Sequence, residues 1–312
     1  MKNKIVSVIF LLSVAAAPLG AAEESEPASG PANQAIRRAE RLVEVERFAE
    51  ARGVFEEAAR FAPSSAQAHY GLGFALLREN RLEESRQSLE QAVRLDPSHR
   101  QALRKLGVVR ARLGDLAGAE AALGEAARLD PQDPVARRNH ASALREMGRL
   151  VEARKQIDLA LALDPDSADA HHGLGLIETR MRRPREAWRA HARALELNPE
   201  HAGALHQLGV LIGRSGRHEE ATEYFTRALE VSPDYTVARL NLARAYRKLG
   251  RHDLAIPELE RVTALEPGRR EAYDLLEGSL WAEGREGEAR EVRMQMRELP
   301  AQAPGRSPIE EE

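Results

Sequence analysis

The chain has 312 residues, no cysteine, only 4% aromatic residues and a formal charge of -3, which excludes a disulfide-stapled fold, thiolate metal sites and an electrostatic nucleic-acid binder. Alanine, leucine, arginine and glutamate fill it, the mix of packed helices, and no sustained alternation of β-branched and polar residues marks a strand. The length admits either two ordinary domains or one elongated array.

Residues 1–22 read as a secretory leader: Lys2 and Lys4 precede an apolar run from Ile5 to Val14, then Pro18 and the small residues Gly20, Ala21 and Ala22. That run is well short of the roughly 20 apolar residues of a membrane-spanning helix, so cleavage after Ala22 is expected rather than retention as an anchor. The mature chain is therefore expected to be exported, periplasmic or secreted. Removing Lys2 and Lys4 from the 46 basic residues leaves 44 against 49 acidic ones, a mild charge suited to solubility. Residues 23–31, EESEPASGP, read as a flexible linker, and residues 300–312 as a disordered tail.

Between these ends proline returns at Pro63, Pro97, Pro131, Pro165, Pro199, Pro233 and Pro267, each 34 positions after the last. With proline as position 32, seven full units cover 32–65, 66–99, 100–133, 134–167, 168–201, 202–235 and 236–269, and a degraded eighth covers 270–299. Small residues recur at position 8 (Gly73, Gly107, Ala141, Gly175, Gly209, Ala243) and position 20 (Ala51, Ser85, Ala119, Ala153, Ala187, Ala221). Large apolar residues hold position 24 (Phe55, Leu89, Leu123, Ile157, Phe225, Leu259). Positions 4, 7, 8 and 11 make one stripe of a first helix, and 20, 24 and 27 one stripe of a second. Position 15 is Asn80, Gly114, Gly148, Gly216, Gly250 and Gly284, residues that accept the left-handed conformation ending a helix.

These columns resemble the tetratricopeptide repeat family over about nine tenths of the chain. The resemblance implies an all-α fold, a right-handed α-solenoid superhelix of about eight helix-turn-helix repeats whose first helices line a concave surface. Three departures carry local expectations: Arg182 at position 15 should bear some backbone strain, Pro184 falls where the first turn of a helix tolerates it, and Pro257 should remove one bond within a second helix. Unit eight, with Glu277 at position 8 and Arg293 at position 24, reads as a polar cap.

No catalytic motif accompanies the repeats. Gly71 and Gly73 lack the third glycine and preceding strand of a dinucleotide loop, and the run from His218 lacks the second histidine of a zinc helix. His140 and His191 fall in large-apolar columns and read as core histidines. His172 and His206, at position 5 of adjacent repeats, could face one ligand, but no third metal ligand joins them. No enzyme activity, cofactor or metal is expected.

The groove-facing positions 2, 5, 6, 9, 12 and 13 of units two to seven carry eleven cations, opposed only by Glu146 and Asp169. Those at positions 12 and 13, Arg214 and Lys248 among them, are explained by the negative end of the helix dipole. Arg104, Lys105, Arg138 and Arg244 are not, and with Asn139, His172, His206, Gln207 and Asn241 they form the expected binding set for a protein or peptide with an acidic segment. The expected function is a non-catalytic interaction scaffold of the cell envelope. The alternative is a substrate-recruiting subunit of an envelope enzyme or assembly system, such as polysaccharide export or cytochrome maturation.

Overall fold

The computed structural model describes residues 30–299. The expected leader and the 300–312 tail lie outside the described residues, as does most of the linker, whose last residue Pro31 already begins the first helix. Sixteen helices follow one another as eight hairpins, and no strand occurs among the described residues. They are α1 (Pro31–Glu44) with α2 (Phe48–Phe61), α3 (Ala66–Arg78) with α4 (Leu82–Leu95), α5 (Arg100–Arg112) with α6 (Leu116–Leu129), and α7 (Pro134–Glu146) with α8 (Leu150–Leu163). Then come α9 (Ala168–Arg180) with α10 (Pro184–Leu197), α11 (Ala202–Arg214) with α12 (His218–Val231), α13 (Thr236–Lys248) with α14 (His252–Leu265), and α15 (Arg270–Ala282) with α16 (Glu286–Glu298).

Every hairpin turns at position 15, where φ is positive in all eight repeats, from 57° at Glu46 to 86° at Gly216. The amide three residues past the helix reaches back to the carbonyl five residues earlier, as in Asp115 to Arg110 at 2.8 Å and Arg149 to Leu144 at 2.9 Å. This closes the helix end and aims the chain back along itself. Arg182 adopts φ of 59° at this position, the strained conformation expected for a residue with a side chain. Pro184 is the first residue of α10, and α14 runs through Pro257 without interruption.

The return to the next hairpin is equally local. Asp96, Asp130 and Asn198 accept from the amides of Ser98, Gln132 and Glu200 around the repeat proline, at 2.9, 3.2 and 3.1 Å. Position 34 then caps the next first helix: Ser65, Asp133 and Ser167 through side-chain oxygens, His99 and His201 through Nδ1. Each such cap stabilises its helix by about 1 kcal/mol.

Within a hairpin, position 8 packs on position 24. A Cβ on Gly107 would lie 2.4 Å from Leu123 Cγ, and one on Gly209 would lie 2.6 Å from the Phe225 ring, so the small column exists to admit the large one. In the last hairpin the same two positions hold an ion pair, Glu277 with Arg293, and Trp281 Nε1 also donates to Glu277 at 3.3 Å. Polar groups thus close the end of the stack where no ninth hairpin follows among the described residues.

Leu89, Leu205, Leu240 and Leu259 lie at most 1% exposed. Each contributes about 1.5–3 kcal/mol of burial, and because the apolar clusters span neighbouring hairpins, no hairpin is stable by itself. Neighbouring first helices pack on one another, apart from α9 and α11, while neighbouring second helices stand apart. First helices therefore form the inner, concave layer.

Candidate functional site

The concave layer is less basic than its sequence, because most of its cations reach along the stack to partners. Arg104 pairs with Asp133 at 3.1 Å, Arg138 with Asp169, and Arg244 with Glu271. In each pair the acid belongs to the start of the next first helix or its cap, a register that a column-by-column reading does not reveal. His201 Nε2 lies 3.3 Å from the Asp169 carboxylate. That hydrogen bond, and beyond it the Arg138 charge, hold the Asp169 carboxyl well below the usual carboxylate range.

Lys105 lies over the Phe74 ring at 4.9 Å, and burial, reinforced by the charges of Arg104 and Arg78, lowers its pKa. Arg78 stacks on Phe48 at 4.5 Å, Arg112 donates to Asn80 at 3.0 Å, Arg247 donates to the Leu275 carbonyl at 3.1 Å, and Arg145 and Arg180 both hold Glu146. Arg214 and Lys248 are the exception. Both are exposed, and within the described residues neither has a hydrogen bond, ion pair or ring contact. The helix dipole accounts for their place at the helix ends, and of the eleven groove cations they are the two left for a ligand.

The structure corrects the placement of the two histidines: His172 and His206 are 5% and 2% exposed and lie inside the wall of the groove. His172 Nδ1 faces His191 Nδ1 at 3.2 Å, so one ring donates and the accepting ring is neutral, with its proton on Nε2. His191 is fully buried, and its Nε2 has no partner. Asn241 Nδ2 donates to His206 Nε2 at 2.9 Å, which leaves the His206 proton on Nδ1, donated to Tyr235 Oη at 3.2 Å. Burial lowers all three: His172 well below its usual value, His191 to about 3 and His206 to about 4. Around His191, the other residues that α10 fully buries are alanines. The junction between the fifth and sixth hairpins is therefore polar where its neighbours are aliphatic. Among the described residues no three side chains converge as metal ligands.

Next to that junction, the space between α9 and α11 opens as a concave cavity of about 600 Å³, extending to α7 and α13. Leu176, Val210, Val237 and Ala245 give it an apolar floor, with buried Gln207 and His206 behind. Asn241 and Arg244 sit at one side, joined at 2.8 Å, while Arg180, Arg214 and Lys248 stand at the rim. Of the expected set, His206, Gln207, Asn241 and Arg244 line this cavity; Arg104, Lys105, Arg138, Asn139 and His172 do not. Asn139 is half-buried, with no hydrogen bond within the described residues. The arrangement sets cations beside an apolar trough. No described helix is long and apolar enough to cross a membrane.

One tetratricopeptide repeat family model matches residues 36–97, 75–134 and 178–236, and a second matches residues 111–177 and 214–279. Among solved structures, a tetratricopeptide repeat protein from Parabacteroides merdae superposes with a TM-score of 0.67 at 14% identity, over 80% of this chain and 99% of that one. A chain of the APC/C hetero-tetramer Cut9-Hcn1 gives 0.65 at 18% identity, over 78% of this chain; the match spans about half, 52%, of that longer chain. Pseudomonas aeruginosa pilF gives 0.55 at 22% identity, over 67% of this chain and 95% of that one. At these identities the likeness is one of fold. Among curated proteins none matches significantly.

Proposed function

Because the chain belongs to the tetratricopeptide repeat family, whose fold is generally a non-catalytic protein-interaction module, we propose that it is a scaffold of the cell envelope that holds a protein partner by an acidic segment laid in its concave groove. The observation that carries this reading is the cavity of about 600 Å³ lined by Arg214 and Lys248, two exposed cations without partners among the described residues. A cation left unpaired above an apolar trough gains an ion pair on binding without breaking an internal one, whereas Arg104, Arg138 and Arg244 would first have to leave their acids. The export part of the proposal is supported by the charged, apolar and small-residue pattern of residues 1–22.

The test is binding of a fluorescent polyglutamate peptide, followed by anisotropy across a salt series. The Arg214→Glu, Lys248→Glu double variant should lose most of the binding and its salt dependence. Arg60→Glu, an exposed change on α2, should leave both intact. Equal binding by all three proteins would reject the groove as the recognition surface. For export, fractionation with an N-terminal mass is decisive, and a chain beginning at Met1 in the cytoplasm would refute it.

A further inference from the structure

Arg214 and Lys248 occupy the same position, 13, in successive repeats, at the ends of α11 and α13, which pack directly on each other. Equivalent residues on packed neighbouring helices stand about one interaxial distance apart, roughly 8–10 Å. Between them the trough is lined by Val210, Val237 and Ala245, and by Gly213, where α11 presents bare backbone. An added Cβ there would have only the Ala221 Cβ nearby, at 3.6 Å, so no packing contact requires the glycine.

A ligand that satisfies both cations needs two carboxylates on one face at that separation. In a β-strand, same-face residues recur at about 6.6 Å, or about 13 Å at the next step, and neither matches. A polyproline II segment has three residues per turn and rises about 3.1 Å per residue, so every third side chain returns to the same face about 9.3 Å further on. It also has no internal hydrogen bonds and is pre-extended, so little ordering is lost on binding. An α-helix returns a carboxylate after about 10.5 Å only with acids seven residues apart.

Resting on the acidic-groove reading above, we propose that the site between α11 and α13 takes a polyproline II segment with a carboxylate at every third residue, the two intervening residues being apolar or proline. The first carboxylate pairs with one of Arg214 and Lys248 and the next with the other, while the residues between them cover the Val210 and Val237 floor. The triplet spacing follows from the repeat spacing of the scaffold, and Arg180 at the same position of α9 is partly occupied by Glu146.

Three peptides of equal length test this by fluorescence anisotropy against the full chain: repeating Glu-Pro-Val triplets, an isomer of the same composition with its glutamates consecutive, and Gln-Pro-Val triplets. The Glu triplets should bind about fivefold more tightly than the isomer, as expected for two exposed ion pairs gained together. In Arg214→Gln or Lys248→Gln, exposed changes that leave the fold intact, that preference should vanish. Equal affinity for triplet and isomer overturns the spacing while the acidic-groove reading stands. Equal affinity for Glu and Gln triplets overturns both. Tighter binding of a helical peptide with glutamates every seventh residue would replace the extended ligand with a helix.

Discussion

Lowering the pH from about 7 to 4.5 should loosen the junction of the fifth and sixth hairpins. Burial holds His191 at about 3 and His206 at about 4 in the folded chain, against about 6.5 when unfolded. Both rings thus stay neutral in the fold at pH 4.5, while the unfolded chain takes up a proton on each as pH falls through about 6.5. Stability is complete above that value and declines below it. Two pH units at about 1.4 kcal/mol each give roughly 2.5 kcal/mol per histidine, about 5 kcal/mol if the two act independently. The depressed carboxylates, Asp169, Glu90 and Glu277 among them, lose their contribution chiefly below this window.

Urea unfolding followed by circular dichroism at both pH values measures the loss in the wild type and in His191→Leu, His206→Leu. Leucine at position 191 is what Leu89, Leu123 and Leu259 provide at the same column. The double variant, which still carries the buried His172, should decline less than the wild type by about that amount. An equal decline in the two proteins, or none in the wild type, would show that these rings are not held neutral.

Other changes probe single features. Gly209→Val forces a branched side chain into the Phe225 ring, 2.6 Å from the new Cβ, and should cost at least 1–3 kcal/mol in thermal or urea unfolding. Arg182→Gly relieves a left-handed residue and should stabilise the chain by about 1 kcal/mol in the same measurement. Gly213→Ala brings a methyl into ordinary contact with the Ala221 Cβ of α12, at 3.6 Å, and should stabilise α11 by about 0.5–1 kcal/mol in urea unfolding.

The sequence displayed the fold through spacing alone. The proline period, the position 15 turn residues and the match of small position 8 to large position 24 are each local to one repeat, and packing between hairpins repeats the same contact. The binding face was less legible. Arg104, Arg138 and Arg244 looked available because their acids, Asp133, Asp169 and Glu271, stand 29, 31 and 27 residues later in the next unit. A search for acids 27 to 31 residues later sets these three apart from Arg214 but not from Lys248, which has Glu277 at 29 and yet does not pair with it. His191 reads as core from its column, but the Nδ1 contact with His172 depends on how two helices face each other, which spacing does not specify. The widening between α9 and α11 has no motif of its own.

The most direct measurement places a photocrosslinking amino acid at Val237 on the inner layer or at Val151 on α8, which is 75% exposed, and irradiates the full chain with Glu-Pro-Val triplet peptide at low salt. Crosslinking at Val237, competed by unlabelled peptide and lost at high salt, with none at Val151, is the expected result. Equal labelling at both positions, or labelling at Val151 alone, would contradict a concave recognition surface.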